Sequence, residues 1–288
     1  MQLPGPIVST QWLAQNLDSE ALRIFDVSMF LRPNDPEPGY TILSGREAWE
    51  KNHIPGSAFI NLASELSDLS RPLPMMMLPP QVLAERAGQL GIGSDSIVVI
   101  YAAAGIMFAA RLWWMLRSIG FDNVAVLDGG WDKWLHEDRP SSSVPASYTA
   151  SSLTAQPRAG LWAERAEVQQ AMNSESVCTL NALQPEVFTG EVAPYGRAGH
   201  IPGSHNVYSS SLLDSDTGVF LPLDQLKERF EVSGVMKKPR AILYCGGGVS
   251  ATVGALALTL LGHPDIAVYD GSMTDWVQDP SLPLVCGA

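Results

Sequence analysis

His53-Ile54-Pro55-Gly56-Ser57 returns residue for residue as His200-Ile201-Pro202-Gly203-Ser204, and this repetition decides how the chain is read. Two further landmarks recur in the same order. The apolar run Ile97-Val98-Val99-Ile100-Tyr101 comes back as Ala241-Ile242-Leu243-Tyr244, and Val124-Ala125-Val126-Leu127-Asp128-Gly129-Gly130, with Trp134 beyond it, comes back as Ile266-Ala267-Val268-Tyr269-Asp270-Gly271-Ser272, with Trp276. The offsets are 147, 143 and 142 residues, so the drift is a few residues of loop, the signature of an internal duplication. A chain of 288 residues also exceeds what one hydrophobic core usually supports. The expected division is a first domain over 1–140, a linker rich in Ser, Thr, Ala and Pro over 141–160, and a second domain over 161–288.

Within each half, short apolar runs alternate with helix-length segments. Residues 22–27, 97–101 and 124–127 read as buried strands, and 81–90 and 108–119 have helical spacing, the second stopped by Gly120. The resulting fold class is α/β: two similar domains, each a mainly parallel sheet with helices on both faces. Ligands of such sheets sit beyond the carboxyl ends of the strands, which draws attention to the loop after Tyr244.

That loop reads Cys245-Gly246-Gly247-Gly248-Val249-Ser250 and leads into an apolar helix expected over 252–261. Consecutive glycines let the backbone curl so that successive N–H groups aim at one point, and a helix N-terminus adds to the positive potential there. A cysteine at the base of this curl is expected to act as a reactive thiolate. A strand ending in cysteine is by itself often only a buried core thiol, but three glycines add no packing and cost chain entropy, which a binding loop explains better. The first half is an internal control: Tyr101-Ala102-Ala103-Ala104-Gly105 occupies the equivalent stretch with Ala102 in the cysteine slot, so that half is expected to be catalytically silent.

The two His-Ile-Pro-Gly-Ser turns, the strand-Cys-loop-helix unit, MFAARLWWMLRSIGFDNVAVLDGGWDKW (107–134) and VYDGSMTDW (268–276) together resemble the tandem-domain rhodanese family over essentially the whole chain. The uncharged loop is similar to that of the 3-mercaptopyruvate sulfurtransferases, whereas thiosulfate-preferring members tend to carry cationic residues there. The resemblance implies a sulfurtransferase in which Cys245 takes sulfane sulfur from a small anionic donor, 3-mercaptopyruvate or thiosulfate. Cys245 then passes it from a persulfide to cyanide, a thiol or a protein thiol, with no cofactor and no metal. It also implies active sites at the interface between the domains.

Gly246, Gly247, Gly248, Val249 and Ser250 are the expected binding residues around Cys245, with Arg197 as the basic candidate nearby. Asn181 stands where the family usually has an acid, Leu183 where it has a base, Val187 where an Arg would grip a carboxylate, and Gly247 where mercaptopyruvate enzymes often have Ser. Ser250 is expected either to donate to the bound sulfur or to cap the following helix. His53 and His200 are expected to fix their turns, with the further reading that His53 faces the cysteine of the other half. Asp128 and Asp270 are expected to order the turns that follow them, and Trp113, Trp114 and the Met75–Met77 run to pack.

Thirty acidic residues against eighteen basic ones give a net charge of −12, which argues against a nucleic-acid or anionic-membrane surface. No apolar run has the length of a membrane span, and the first residues do not read as a signal peptide. Three cysteines, Cys178, Cys245 and Cys286, suit a reducing cytoplasm better than a disulfide framework. Cys178 is expected to be buried, Cys286 to lie near a terminus. Two other functions share the fold. A phosphatase would need a longer cysteine loop closed by Arg, where this chain has Ala251 and Thr252; a non-turnover sulfur carrier or binding module would hold sulfur on Cys245 without multiple turnover.

Overall fold

The computed structural model describes residues 1–287. In chain order the strands are β1 (Ile7–Val8), β2 (Leu22–Asp26), β3 (Met29–Pro33), β4 (Tyr40–Ser44), β5 (Ala58–Phe59), β6 (Ile97–Tyr101) and β7 (Val124–Leu127). They continue as β8 (Trp162–Ala163), β9 (Val177–Asn181), β10 (Ser204–Asn206), β11 (Arg240–Tyr244) and β12 (Ile266–Tyr269). Two five-stranded sheets result, ordered β1-β7-β6-β2-β5 and β8-β12-β11-β9-β10, parallel throughout. The orders are the same, so the duplication read from the sequence is one of topology. All five residues of β6 and four of five in β11 are buried, as expected for central strands covered on both faces.

The repeated turns owe their composition to one job. Ser57 Oγ lies 2.8 Å from the Tyr101 hydroxyl, which also accepts the Ile54 N–H at 3.2 Å. Ser204 and Ile201 hold Tyr244 in the same way, at 2.7 and 3.1 Å. Each turn therefore pins the last residue of a central strand, next to the loop that carries Ala102 in one half and Cys245 in the other. Trp134 and Trp276 likewise each donate an indole N–H to a carbonyl beyond their helix, Pro140 and Pro283.

The halves meet through the helices Met107–Ser118 and Ala251–Leu260, which pack together inside one continuous apolar cluster drawn from both sheets. Trp113, Trp114 and Met75 are buried in it, and an almost wholly apolar helix is what such double coverage demands. Asp128 and Asp270 do more than order their own turns, because both reach across the junction. Asp128 Oδ1 accepts the Phe220 N–H at 2.9 Å, and Asp270 Oδ2 accepts the Met77 N–H at 2.7 Å. The two contacts are the same contact repeated by the pseudo-symmetry of the duplication.

The segment 141–160 lies along the first half. Ser142 exchanges both main-chain bonds with His53 at 2.9 Å, and the Tyr148 hydroxyl donates to Gly56 O at 2.7 Å. The first half carries an insertion: the antiparallel hairpin β3–β4 follows β2 and has no counterpart after β9 among the described residues. Its tip crosses to the second half, where the Gly39 N–H donates to Pro194 O at 2.6 Å. Among the described residues no helix is long and apolar enough to cross a membrane.

Candidate active site

β11 ends on the pinned Tyr244, and the chain then turns through 245–250 before the helix Ala251–Leu260. The segment Ser272–Thr274 straps this turn in place. Met273 N–H donates to Cys245 O at 3.0 Å, while Thr274 gives both its N–H (2.8 Å) and its hydroxyl (2.7 Å) to Gly246 O. Inside the turn, the buried Ser272 hydroxyl accepts the N–H groups of Cys245 and Gly248 at 3.0 and 3.1 Å and donates to Tyr269 O at 2.8 Å. Its proton is thus committed to a carbonyl, and Cys245 Sγ at 4.0 Å is a neighbour rather than an acceptor.

Two of the three glycines leave no room for a side chain while their neighbours stay in place. A Cβ on Gly246 would stand 2.0 Å from the Tyr195 hydroxyl oxygen. Gly248 has φ of +70°, and a Cβ there would meet Asp270 O at 2.4 Å. Gly247 is different: the nearest atom to its virtual Cβ is Thr274 Oγ1 at 4.0 Å, so it leaves space that a side chain would fill.

Among the described residues, the N–H groups of Gly246, Gly247, Val249 and Ser250 donate to no protein acceptor. Ser250 occupies the N-cap position, yet its hydroxyl makes no capping bond; of the two roles expected for it, facing the site is the one its position supports. The first half differs at the two positions after the cysteine slot. There Ala103 N–H is taken by Ser28 Oγ at 2.7 Å and Ala104 N–H by Asp132 Oδ2 at 3.0 Å. Side chains thus occupy the two amides that follow Ala102, whereas the two that follow Cys245 stay free and join those of Val249 and Ser250 as a preformed nest of donors at a helix N-terminus.

Cys245 is 2 % exposed and borders a cavity of about 420 Å³. The second half contributes Gly246, Gly247, Val249, Ser250, Tyr195, Thr274 and Val277; the first contributes Leu31, Tyr40 and Ile42 of the hairpin with Met107 and Phe108 of the junction helix. The site therefore lies between the halves. Burial, and then the neighbouring Cys245 sulfur, push the Tyr195 phenol well above its ordinary value, so at neutral pH it is a hydrogen-bond donor. Among the described residues no Lys, Arg or His lines the cavity.

Several expected site residues lie elsewhere. Gly248 supports the loop from below, its N–H on Ser272 and its carbonyl on Arg111 Nη1 at 3.1 Å. Arg197 is not a substrate grip: it donates to Asp279 O and Leu282 O at 3.0 and 2.8 Å, tying down the C-terminal segment. His53 does not face the cysteine. Its ring is fully buried in the first half, between Trp49 O at 2.5 Å and Val144 O at 3.1 Å. His200 holds its turn through Phe188 O at 2.8 Å.

Asn181 does not border the cavity either. Its Oδ1 accepts the Leu183 N–H at 2.8 Å, as Asp26 Oδ1 accepts Ser28 N–H at 2.7 Å in the other half. It is a shape-conserving, uncharged version of the same turn. Cys178 is buried, which pushes its thiol up to about 11, and Cys286 is exposed.

Sequence reasoning missed Tyr195, Ser272, Thr274 and Arg111. For two of them a signal was present in the aligned repeats, where Ser272 faces Gly130 and Thr274 faces Asp132. Tyr195 comes from an irregular loop with no counterpart landmark.

Comparison with known proteins agrees with this architecture. The chain matches the rhodanese-like domain family over residues 9–137 and again over 165–279. It is 34 % identical to a probable 3-mercaptopyruvate sulfurtransferase of Pseudomonas aeruginosa, covering 98 % of both chains. With the 3-mercaptopyruvate sulfurtransferase of Homo sapiens the identity is 32 %, over 96 % of this chain and 93 % of the other. The crystal structure of SseA from Escherichia coli, a 3-mercaptopyruvate sulfotransferase, superposes with a TM-score of 0.81 at 29 % identity, over 93 % of this chain and 98 % of that one.

Proposed function

This chain belongs to the rhodanese family, and we propose that it is a sulfurtransferase working through a persulfide on Cys245. The observation that carries the reading is the pair of free main-chain amides that directly follow Cys245, on Gly246 and Gly247, set against the equivalent Ala103 and Ala104 amides, which side chains occupy in the half that lacks the cysteine. The Cys245 thiolate attacks the sulfane sulfur of a donor, a new S–S bond forms, and the donor's bond to that sulfur breaks with its electron pair. The terminal sulfur of the resulting persulfide carries negative charge, and preorganised N–H groups in a site shielded from water stabilise it without a metal. An acceptor (cyanide, a thiol or a protein thiol) then attacks that terminal sulfur and restores Cys245. Strapping by Ser272–Thr274 keeps the amides aimed throughout, so little reorganisation accompanies either step.

The relatives' names point to 3-mercaptopyruvate or thiosulfate as the donor. Such an anion would be held here by loop amides and neutral hydroxyls. Incubation with either donor and cyanide is expected to yield thiocyanate, and Cys245→Ser to abolish it. Thiocyanate turnover that persists in Cys245→Ser would refute the assignment.

A further inference from the structure

The cavity in front of Cys245 offers a small anionic donor only neutral partners. Among the described residues no cationic side chain lines it. The one guanidinium touching the cysteine loop, Arg111, is fully buried beneath it, aimed at Gly248 O and paired with Asp270, so its charge is offset before it reaches the cavity. The chain's net charge of −12 adds a field that disfavours anions. The free amides are enough for the one charge on a persulfide sulfur, but a carboxylate or sulfonate farther from the sulfur would meet an uncharged lining, in which Leu31, Ile42, Phe108 and Val277 stand with the neutral Asn34, Tyr40 and Gln278. Burying an unpaired charge against such a wall is costly, whereas an apolar group there leaves water favourably.

We propose that the sulfur donor of this site is a hydropersulfide, R–S–SH, whose organic part R is apolar and uncharged, packed against the walls contributed by the β3–β4 hairpin and the junction helix. The proposal rests on the sulfurtransferase reading and adds the substrate class. Cys245 Sγ, as thiolate, attacks the outer sulfur of R–S–SH. The Cys245 S–S bond forms as the donor's S–S bond breaks, the electron pair leaving on the inner sulfur. The proton of the donor's S–H passes to that sulfur, giving R–SH and the Cys245 persulfide anion. No oxidant or reductant is consumed. Tyr195, which keeps its proton at neutral pH, stands beside Cys245 as the hydrogen-bond donor to the departing sulfur. Gly247 is the specificity position, because its missing side chain leaves the cavity open.

The test is the rate at which Cys245 gains the mass of one sulfur atom, read by intact-protein mass spectrometry, with four donors at equal concentration: benzyl hydropersulfide, glutathione hydropersulfide, thiosulfate and 3-mercaptopyruvate. The first two share the same reacting bond and differ in the charge of R. Benzyl hydropersulfide is expected to load at least about tenfold faster than the other three, the discrimination an apolar pocket reaches. Gly247→Arg, whose side chain enters open space, is expected to speed thiosulfate and 3-mercaptopyruvate and to slow the benzyl donor. Equal or faster loading by any of the three charged donors in the unmodified protein overturns the substrate class and leaves the sulfurtransferase reading standing. Failure of all four to load Cys245 overturns that reading too.

Discussion

Replacing Arg111 by Met tests the tie between the two halves and the cysteine loop. The Arg111 side chain is fully buried, and its Nη2 stands 2.6 Å from Asp270 Oδ1, whose own side chain is 13 % exposed. That contact is a charge pair out of line for a hydrogen bond, since Oδ1 has no aligned donor. The aligned bonds run to Met75 O at 2.6 Å and Gly248 O at 3.1 Å, and the guanidinium also stacks 4.7 Å over the Trp162 ring. Met fills most of the volume but strands the Asp270 carboxylate with the Met77 N–H as its remaining bonded partner. Breaking one side of a buried pair costs about 3 to 5 kcal/mol, and the poor alignment of the charge pair argues for the lower end. Guanidinium unfolding followed by tryptophan fluorescence is expected to show a midpoint lowered by that amount divided by the m-value. Adding Asp270→Asn removes the stranded charge and is expected to recover about 2 kcal/mol of it, a coupling that a double-mutant cycle isolates. A single variant within about 1 kcal/mol of the parent, or a double variant equal to the sum of the singles, would refute the reasoning. Loading of Cys245 is expected to slow as well, because Gly248 O loses its anchor.

Asp128 is the pseudo-symmetric partner of Asp270 but has Val253 where Asp270 has Arg111, and burial raises its carboxyl from 3.8 to about 6. The folded state then holds a proton that the unfolded chain has released, so stability falls as pH rises from about 4 to about 6 and does not return above it. Asp128→Asn, which keeps an acceptor for Phe220 N–H, is expected to stabilise the protein by about 1 to 2 kcal/mol at pH 7, discounted for solvent reaching this half-buried group. The gain should vanish near pH 4, and thermal melts across that range would expose a gain that does not depend on pH. Gly246→Ala is expected to slow thiocyanate formation about a hundredfold, since its methyl displaces Tyr195 or the loop. The control Gly247→Ala meets open space and should stay within about twofold; equal losses in the two variants would contradict the geometry.

The duplication, the alternation of strands and helices and the position of Cys245 were legible in the chain because each depends on local pattern. Apolar runs of strand length, punctuating glycines and a turn repeated at fixed offset follow from short-range sterics and burial, and those rules do not change between halves. The lack of a cysteine at the equivalent place in the first half was equally visible, as Ala102 opposite Cys245.

Position in space was not legible. Arg197 looked like a substrate ligand because it is basic and near a conserved-looking turn in the sequence, yet its donors are spent on two carbonyls more than eighty residues away. Tyr195, Ser272 and the hairpin residues Leu31 and Ile42 reach the cysteine from separate stretches of chain, and Arg111 reaches its loop from the other half. Which charges meet, which amides remain free and which wall faces the sulfur depend on contacts between segments far apart in sequence. Only the packed tertiary structure decides those, because burial and hydrogen-bond satisfaction are properties of neighbours rather than of residues.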